Sequence, residues 1–402
     1  MFSSSTMLRW CASWMALLLA VHLLAWAWEL ARVHLGLGRP GRSPFASGPQ
    51  PGPVRKASTD VALGYDTPVS GSRYEMLKLL AMSLSGFTTM RLGFAFAAFA
   101  AGTLTLNLAV RAGRSERLGP IVREPLVTAA LGFARLALWW IGYYCVVEEG
   151  QIARPNEAKV LVSNHVGLIE VLLLYRAARC PSFVTRIENI SLPLFAGVAH
   201  VSRAIVVDRG MRASRESTMR EISKRAHESC ATQLMVFPEG TCNNQHCLFR
   251  FNRGAFQPAV PIQPVIFNFP YASFNPCLTG EATGGHELPG IMWRTASQIV
   301  SRVEVKYLPP YAPSAAERAD ATLFAGNVQA LMASHLHVPV TDCTLADYTA
   351  LSTRRFHSVP PERAAVLCRA RAASQAAELH SGLPSPSAIE SGRPGSAASK
   401  AE

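Results

Sequence analysis

The stretch of this chain best equipped for chemistry is Ser163-Asn164-His165-Val166-Gly167-Leu168-Ile169-Glu170. Imidazole titrates near neutral pH, so His165 can take a proton from an alcohol. A carboxylate that accepts from one ring nitrogen leaves the other free as the base. On one regular helix, His165 and Glu170 would sit about 140° apart. The pairing therefore expects His165 in a loop and Glu170 in the first turns of a helix. Such a base contributes ~10²–10⁴-fold to a rate. By spacing alone, H-x-x-x-x-E is more often a coincidence.

Three further stretches accompany it. Phe237-Pro238-Glu239-Gly240-Thr241-Cys242-Asn243 follows an apolar run. Its Pro and Gly force a tight turn that exposes backbone N–H groups, able to hold a phosphate or a hydroxyl-bearing head group. By itself Pro-Glu-Gly is a plain surface turn. Val206-Val207-Asp208-Arg209 ends a short strand on a fixed cation suited to a phosphate oxygen. The alternative is a surface ion pair of Asp208. Val260-Pro261-Ile262-Gln263-Pro264-Val265 is an apolar strand interrupted by prolines. It suggests an edge or bulged strand bordering a hydrophobic groove, with a simple core strand as the alternative.

Positioning these loops requires an alternation of strands and helices. Strands are expected at Lys159–Val162, Phe183–Val184, Ala204–Val207, Leu234–Phe237, Ile262–Phe267 and Val303–Leu308. Helices are expected from Ile169 to Ala178 and from Ser214 to Ala231, the latter with Met219, Ile222, Ala226 and Cys230 on one stripe. The fold class is α/β, a mixed central sheet flanked by helices, with N-terminal membrane helices. Such sheets place ligands at the carboxyl ends of strands.

Three apolar runs precede this unit. Trp10 to Trp28 is nearly long enough to cross the hydrocarbon core, and Trp26-Ala27-Trp28 lacks a small-x-small cleavage pattern. It reads as an uncleaved signal anchor. Arg32, Arg39, Arg42, Arg55 and Lys56 follow it and only Arg9 precedes it, which puts the downstream side in the cytosol. Leu92 to Val110 could span the membrane or dip into it. Leu126 to Val147 contains Arg135, Trp139 and Trp140 and reads as an interfacial helix. The alternative for both later runs is an ordinary core helix.

The expected organisation is an anchor at 1–35, a Gly/Pro/Ser-rich linker at 36–75, membrane-associated helices at 76–147, the α/β domain at 148–345 and a tail at 346–402 that is disordered from about 381. The net charge of +12 fits a phosphate-rich partner such as an anionic membrane or a nucleotide-bearing cofactor. No recognition helix, zinc finger or aromatic RNA-binding run supports nucleic acid. Nine cysteines with no Cys-x-x-Cys pair argue for reduced thiols facing the cytosol. Cys242, His246 and Cys247 are close in sequence, yet no second ligand pair with zinc spacing accompanies them, so no metal is expected.

The four stretches occur in the order that resembles the PlsC-like glycerolipid acyltransferases. Their N-H-x-x-x-x-D motif is matched by Asn164, His165 and Glu170. Their strand-ending Asp-Arg is matched by Asp208 and Arg209. Their F-P-E-G-T is Phe237 to Thr241, and their V-P-I/V-x-P-V is Val260 to Val265. The run from Glu239 through Asn244, Cys247-Leu248 and Gly254-Ala255-Phe256 is similar to the lysophosphatidylcholine and lysophosphatidylethanolamine acyltransferase branch. Pro181 to Val184 and Leu192 to Leu194 are also similar to that branch. The resemblance covers roughly residues 125 to 310.

The resemblance implies acyl transfer from acyl-CoA, as co-substrate and without a cofactor, to a lysophospholipid hydroxyl. The close alternative is transfer to lysophosphatidic acid or glycerol 3-phosphate. The distant one is a non-catalytic lipid-binding protein. It implies His165 as base, Glu170 as its orienting group, and Arg209, Glu239, Gly240 and Thr241 on the glycerophosphate. Pro261, with the rest of Val260 to Val265, would border the acyl groove. The implied setting is the membrane of the endoplasmic reticulum. One position departs from the pattern: the family's usual aspartate is Glu170 here. Its added methylene can shift the carboxylate by about an ångström, a displacement that can cost ~10²-fold in rate.

Overall fold

The computed structural model describes residues 4–34, 73–113, 119–144, 146–177, 181–187, 190, 198–208, 211–228, 232–271, 274–278 and 287–344. The chain divides into two units, Met1–Leu345 and Ala346–Glu402, and the second lies wholly outside the described residues. So do Arg209, Cys230 and most of the expected linker.

Four helices come first: α1 (Ser4–His34), α2 (Arg73–Leu84), α3 (Phe87–Gly113) and α4 (Gly119–Ile141). The segments Arg9–Ala31 of α1 and Phe87–Ala112 of α3 are long and apolar enough to cross a membrane; the first is mostly exposed, the second partly buried. The α/β part follows as β1 (Val146–Glu149), β2 (Val160–Ser163), α5 (Ile169–Ala177), β3 (Ser182–Arg186), β4 (Ile205–Val207), α6 (Arg212–His227) and β5 (Leu234–Val236). It continues with β6 (Ile262–Asn268), α7 (Glu287–Ala296), β7 (Val303–Tyr307), α8 (Ala315–Ala319) and α9 (Ala321–Leu336).

Among the described residues the strands form one seven-stranded sheet in the order β1-β7-β6-β2-β5-β3-β4. Every pair is parallel except β6–β7, so the sheet is mixed, with helices on both faces. Side chains alternate along each strand. Val160, Val162, Leu234, Val236, Ile262 and Ile266 pack towards Ile222 of α6 and Phe324, Val328 and Met332 of α9. Met235, Val265, Phe267, Val303 and Val305 pack towards Leu173 and Leu174 of α5, Ala95 of α3 and Leu138 of α4. Burial of each large apolar side chain contributes roughly 1.5–3 kcal/mol.

Three expectations are corrected. The apolar run from Leu126 to Val147 is not one helix. Gly142 takes φ 107°, a left-handed conformation that ends α4, and Val146-Val147 enter β1 beside β7. Nor is the proline-bearing strand an edge: β6 lies between β2 and β7. The Pro264 carbonyl accepts from Leu308 N at 3.0 Å, so its missing N–H also faces the β7 side. The N–H that the proline lacks would have met Leu308 O, and Gln263 Nε2 donates to that oxygen instead at 2.9 Å. Residues Arg73 to Glu75, expected to end the linker, already belong to α2.

Candidate active site

Register brings the chemistry-bearing loops together. β2 and β5 are parallel neighbours with Val162 opposite Val236. Asn164-His165 and Phe237-Pro238-Glu239 therefore leave the same end of the sheet side by side. Asn164 extends the β2–β6 ladder with its side chain. Its Nδ2 donates to Phe267 O and its Oδ1 accepts from Phe267 N, both at 2.9 Å. That double bond fixes the backbone just ahead of the histidine.

His165 lies in the loop and Glu170 in the first turn of α5, the placement the spacing requires. His165 Nδ1 donates to Glu170 Oε1 at 2.8 Å. The same oxygen accepts from Val166 N at 2.6 Å and Gly167 N at 2.5 Å. The carboxylate folds back over the turn before its own helix, which accommodates the extra methylene and keeps contact with the ring. Glu170 has no exposed surface, and its Oε2 has no hydrogen-bond partner among the described residues.

The ring of His165 stacks on Phe237, centroids 4.2 Å apart, and its side chain is 22% exposed. Cys242 lies close enough to act on its charge. Burial alone would depress the imidazole pKa. The contacts with Cys242 and Glu170 outweigh it and hold that pKa well above the ordinary histidine value.

Glu239 sits where a head-group contact was expected, but it faces inward with no exposed surface. Its Oε1 accepts from His165 N at 3.1 Å; its Oε2 accepts from Phe249 N at 2.9 Å and from Asn243 Nδ2. Asn243 N donates to His165 O at 2.8 Å. Glu239 and Asn243 thus fasten the second loop to the backbone of His165. Burial pushes the Glu239 pKa up to about 7 against the lowering effect of these donors. Gly240 holds φ 71°, and a Cβ there would meet Asn252 Nδ2 at 3.0 Å. Thr241 is half-buried beside it.

Pro261 is not brought to this site. β6 runs parallel to β2, with Val160 opposite Ile262 and Ser163 opposite Val265. Pro261 therefore stands at the opposite end of the sheet, roughly 17–20 Å from Asn164-His165 at ~3.3 Å per residue. Asp208 follows β4, the edge strand beyond β3, and its N–H donates to Ser214 Oγ at 3.0 Å.

An apolar cavity of about 230 Å³ opens beside His165. Its walls are Phe99 and Leu106 of α3, Ala130 and Ala134 of α4, and Leu172 and Tyr175 of α5, with Arg186 at the carboxyl end of β3. α3 and α4 approach closely at Gly102, where a Cβ would lie 3.1 Å from Phe133 Cβ. These wall residues escaped the motif reading, as did the roles of Asn243, Phe237 and Cys242. The one signal for the wall was the apolarity of the runs from Leu92 and Leu126.

A family model described as Acyltransferase matches residues 145–268. The mouse lysophospholipid acyltransferase LPCAT4 is 38% identical over 215 residues, covering 53% of this chain and 40% of that protein. The zebrafish (Danio rerio) lysophosphatidylcholine acyltransferase 1 is 33% identical over 285 residues, covering 68% and 52% respectively. The chain thus spans about half the length of the curated relatives it matches. The crystal structure of the 1-acyl-sn-glycerophosphate acyltransferase PlsC from Thermotoga maritima aligns with 65% of this chain and 93% of its own, at 17% identity and a TM-score of 0.37. Residues 145–268 thus match the Acyltransferase family model, and the chain is similar to lysophospholipid acyltransferases over a part of their length.

Proposed function

We propose that this chain transfers a fatty acyl group from acyl-CoA to the free hydroxyl of a lysophospholipid, lysophosphatidylcholine or lysophosphatidylethanolamine. The observation that carries the reading is the His165 Nδ1–Glu170 bond at the mouth of an apolar cavity. With Nδ1–H donated to Glu170, the neutral ring offers Nε2 as base. Nε2 takes the acceptor's hydroxyl proton as that oxygen attacks the thioester carbonyl. The tetrahedral intermediate collapses with cleavage of the C–S bond. The imidazolium returns its proton to the departing coenzyme A thiolate. The products are a diacyl phospholipid and coenzyme A, and no acyl-enzyme forms.

In this reading the acyl chain lies among Phe99, Leu106, Ala130 and Ala134. Arg209, with the turn at Gly240 and Thr241, takes the glycerophosphate. The apolar helices α1 and α3 hold the chain on a membrane. The basic residues after the first span put the catalytic unit in the cytosol, and the endoplasmic reticulum is the expected membrane.

The test is an acceptor panel. Purified full-length protein in lipid nanodiscs receives radiolabelled oleoyl-CoA with lysophosphatidylcholine, lysophosphatidylethanolamine, lysophosphatidic acid or glycerol 3-phosphate. Highest turnover on the first two is expected. Equal turnover of glycerol 3-phosphate and lysophosphatidylethanolamine removes the acceptor assignment. No turnover with any acceptor turns the reading towards lipid binding. Product formed from a diacyl phospholipid without acyl-CoA makes the reaction a transacylation.

A further inference from the structure

The helix α2 has its polarity reversed. On a water-facing surface, a helix points its charges outward and its leucines inward. In α2, Glu75 is 2% exposed and pairs with Lys78 at 2.6 Å. Lys78 Nζ donates to Gln298 Oε1 at 2.6 Å, and Gln298 Nε2 donates to Glu75 Oε1 at 2.8 Å. Towards the other end of the helix, Trp293 Nε1 donates to Ser83 Oγ at 2.8 Å. The polar face therefore lies along the segment from Trp293 to Gln298. The opposite face carries Met76, Leu77, Leu80 and Leu84, each between 55% and 79% exposed. That orientation is stable where the outer medium is apolar.

The turn after α2 suits the same medium. In lipid, every backbone polar group needs a partner within the protein. Ser85 N donates to Ala81 O at 3.0 Å, and Gly86 N donates to Ser83 O at 3.1 Å. Phe87 N donates to Ser85 Oγ at 3.3 Å, and Trp14 Nε1 donates to Ser85 O at 2.8 Å. Trp14 belongs to the apolar segment Arg9–Ala31 of α1, so the turn is continuous with that exposed apolar surface. With 12 residues, α2 rises ~18 Å, too short to cross a hydrocarbon core of ~30 Å.

We propose that α2 is a helix embedded along the membrane surface, with Met76, Leu77, Leu80 and Leu84 among lipid acyl chains. Its inner face fastens the α/β part to the bilayer through Gln298 and Trp293. The proposal rests on the membrane reading of α1 given above and adds to it a second, non-spanning contact.

The test uses full-length protein in phosphatidylcholine vesicles. The sample is irradiated with a diazirine that partitions into the hydrocarbon, and labelled residues are located by peptide mass spectrometry. Label is expected on the outward face of α2 as well as on exposed α1 residues such as Leu17 and Leu24, with Glu75 and Lys78 unlabelled. Label on α1 with none on α2 overturns the proposal and leaves the membrane reading standing. In that case a cross-linked dimer through α2 would assign the face to a second copy of the chain. A protein unlabelled on both helices overturns the membrane reading and this proposal together.

Discussion

Glu170 and Glu239 stand at the carboxyl ends of neighbouring parallel strands, and neither has exposed surface. They are bonded in opposite ways. Glu170 concentrates three donors on Oε1, one of them the His165 ring, and leaves Oε2 without a hydrogen-bond partner among the described residues. Glu239 spreads its donors over both oxygens, from His165 N, Asn243 and Phe249 N, and touches the backbone of the histidine rather than its ring. The first arrangement orients the imidazole ring and favours its charged form. The second ties two loops into one site. A buried carboxylate in a motif is thus assigned its role by which atoms donate to it.

The comparison is sharpened by substitutions, taken from the largest effect down. His165→Ala is expected to lower acyl transfer by about 10²–10⁴-fold with the fold intact by circular dichroism. Wild-type turnover in that variant would remove the base mechanism altogether. Glu170→Gln keeps the shape and removes the charge, and turnover should fall by about 10²-fold. The base works only when unprotonated, so wild-type kcat/KM rises with pH through the elevated pKa of His165. Without the Glu170 charge that pKa drops, so the rising limb of the profile should move to lower pH. An unmoved limb would mean that Glu170 does not act on the ring.

Glu239→Gln should act on stability first. It turns an acceptor into a donor against Phe249 N or Asn243, a loss of about 1–3 kcal/mol readable in chemical denaturation. The pH dependence has a definite sign. Burial raises the folded pKa from 4.5 to about 7, so the folded state holds the proton more tightly. The contribution of this group to stability is full below 4.5 and is lost as pH rises to about 7. Glu239→Gln should flatten that window and leave the pH limb of kcat/KM in place. A limb that moved as far as in Glu170→Gln would erase the distinction between the two glutamates. Gly240→Ala is the mildest. A side chain at φ 71° costs about 1 kcal/mol, seen as a lowered Tm.

Much of this was legible in the residues. The loop placement of His165 and the helical placement of Glu170 follow from a spacing that no single helix satisfies. The strands around them follow from short β-branched runs. Glu239 was misplaced because a Pro-Glu-Gly turn looks exposed, and its donors, Phe249 N and Asn243, are set by the chain that follows. Pro261 was misplaced because strand direction is invisible locally: read as parallel to β2, its end of β6 points away from the histidine. The run from Leu126 concealed β1, since apolarity alone does not mark where a helix stops.

The sequence by itself supplied the candidate chemistry: an imidazole with a carboxylate at a helix start, a second loop with a tight Pro-Glu-Gly turn, and apolar helices suited to lipid. These depend on residue type and local spacing, which act over a few residues. The tertiary structure alone decided the division of labour between two buried glutamates, the joining of α3 and α4 to the histidine through one cavity, and the reversed face of α2. Those depend on contacts between distant segments, fixed by strand register and by which surfaces need water and which need lipid.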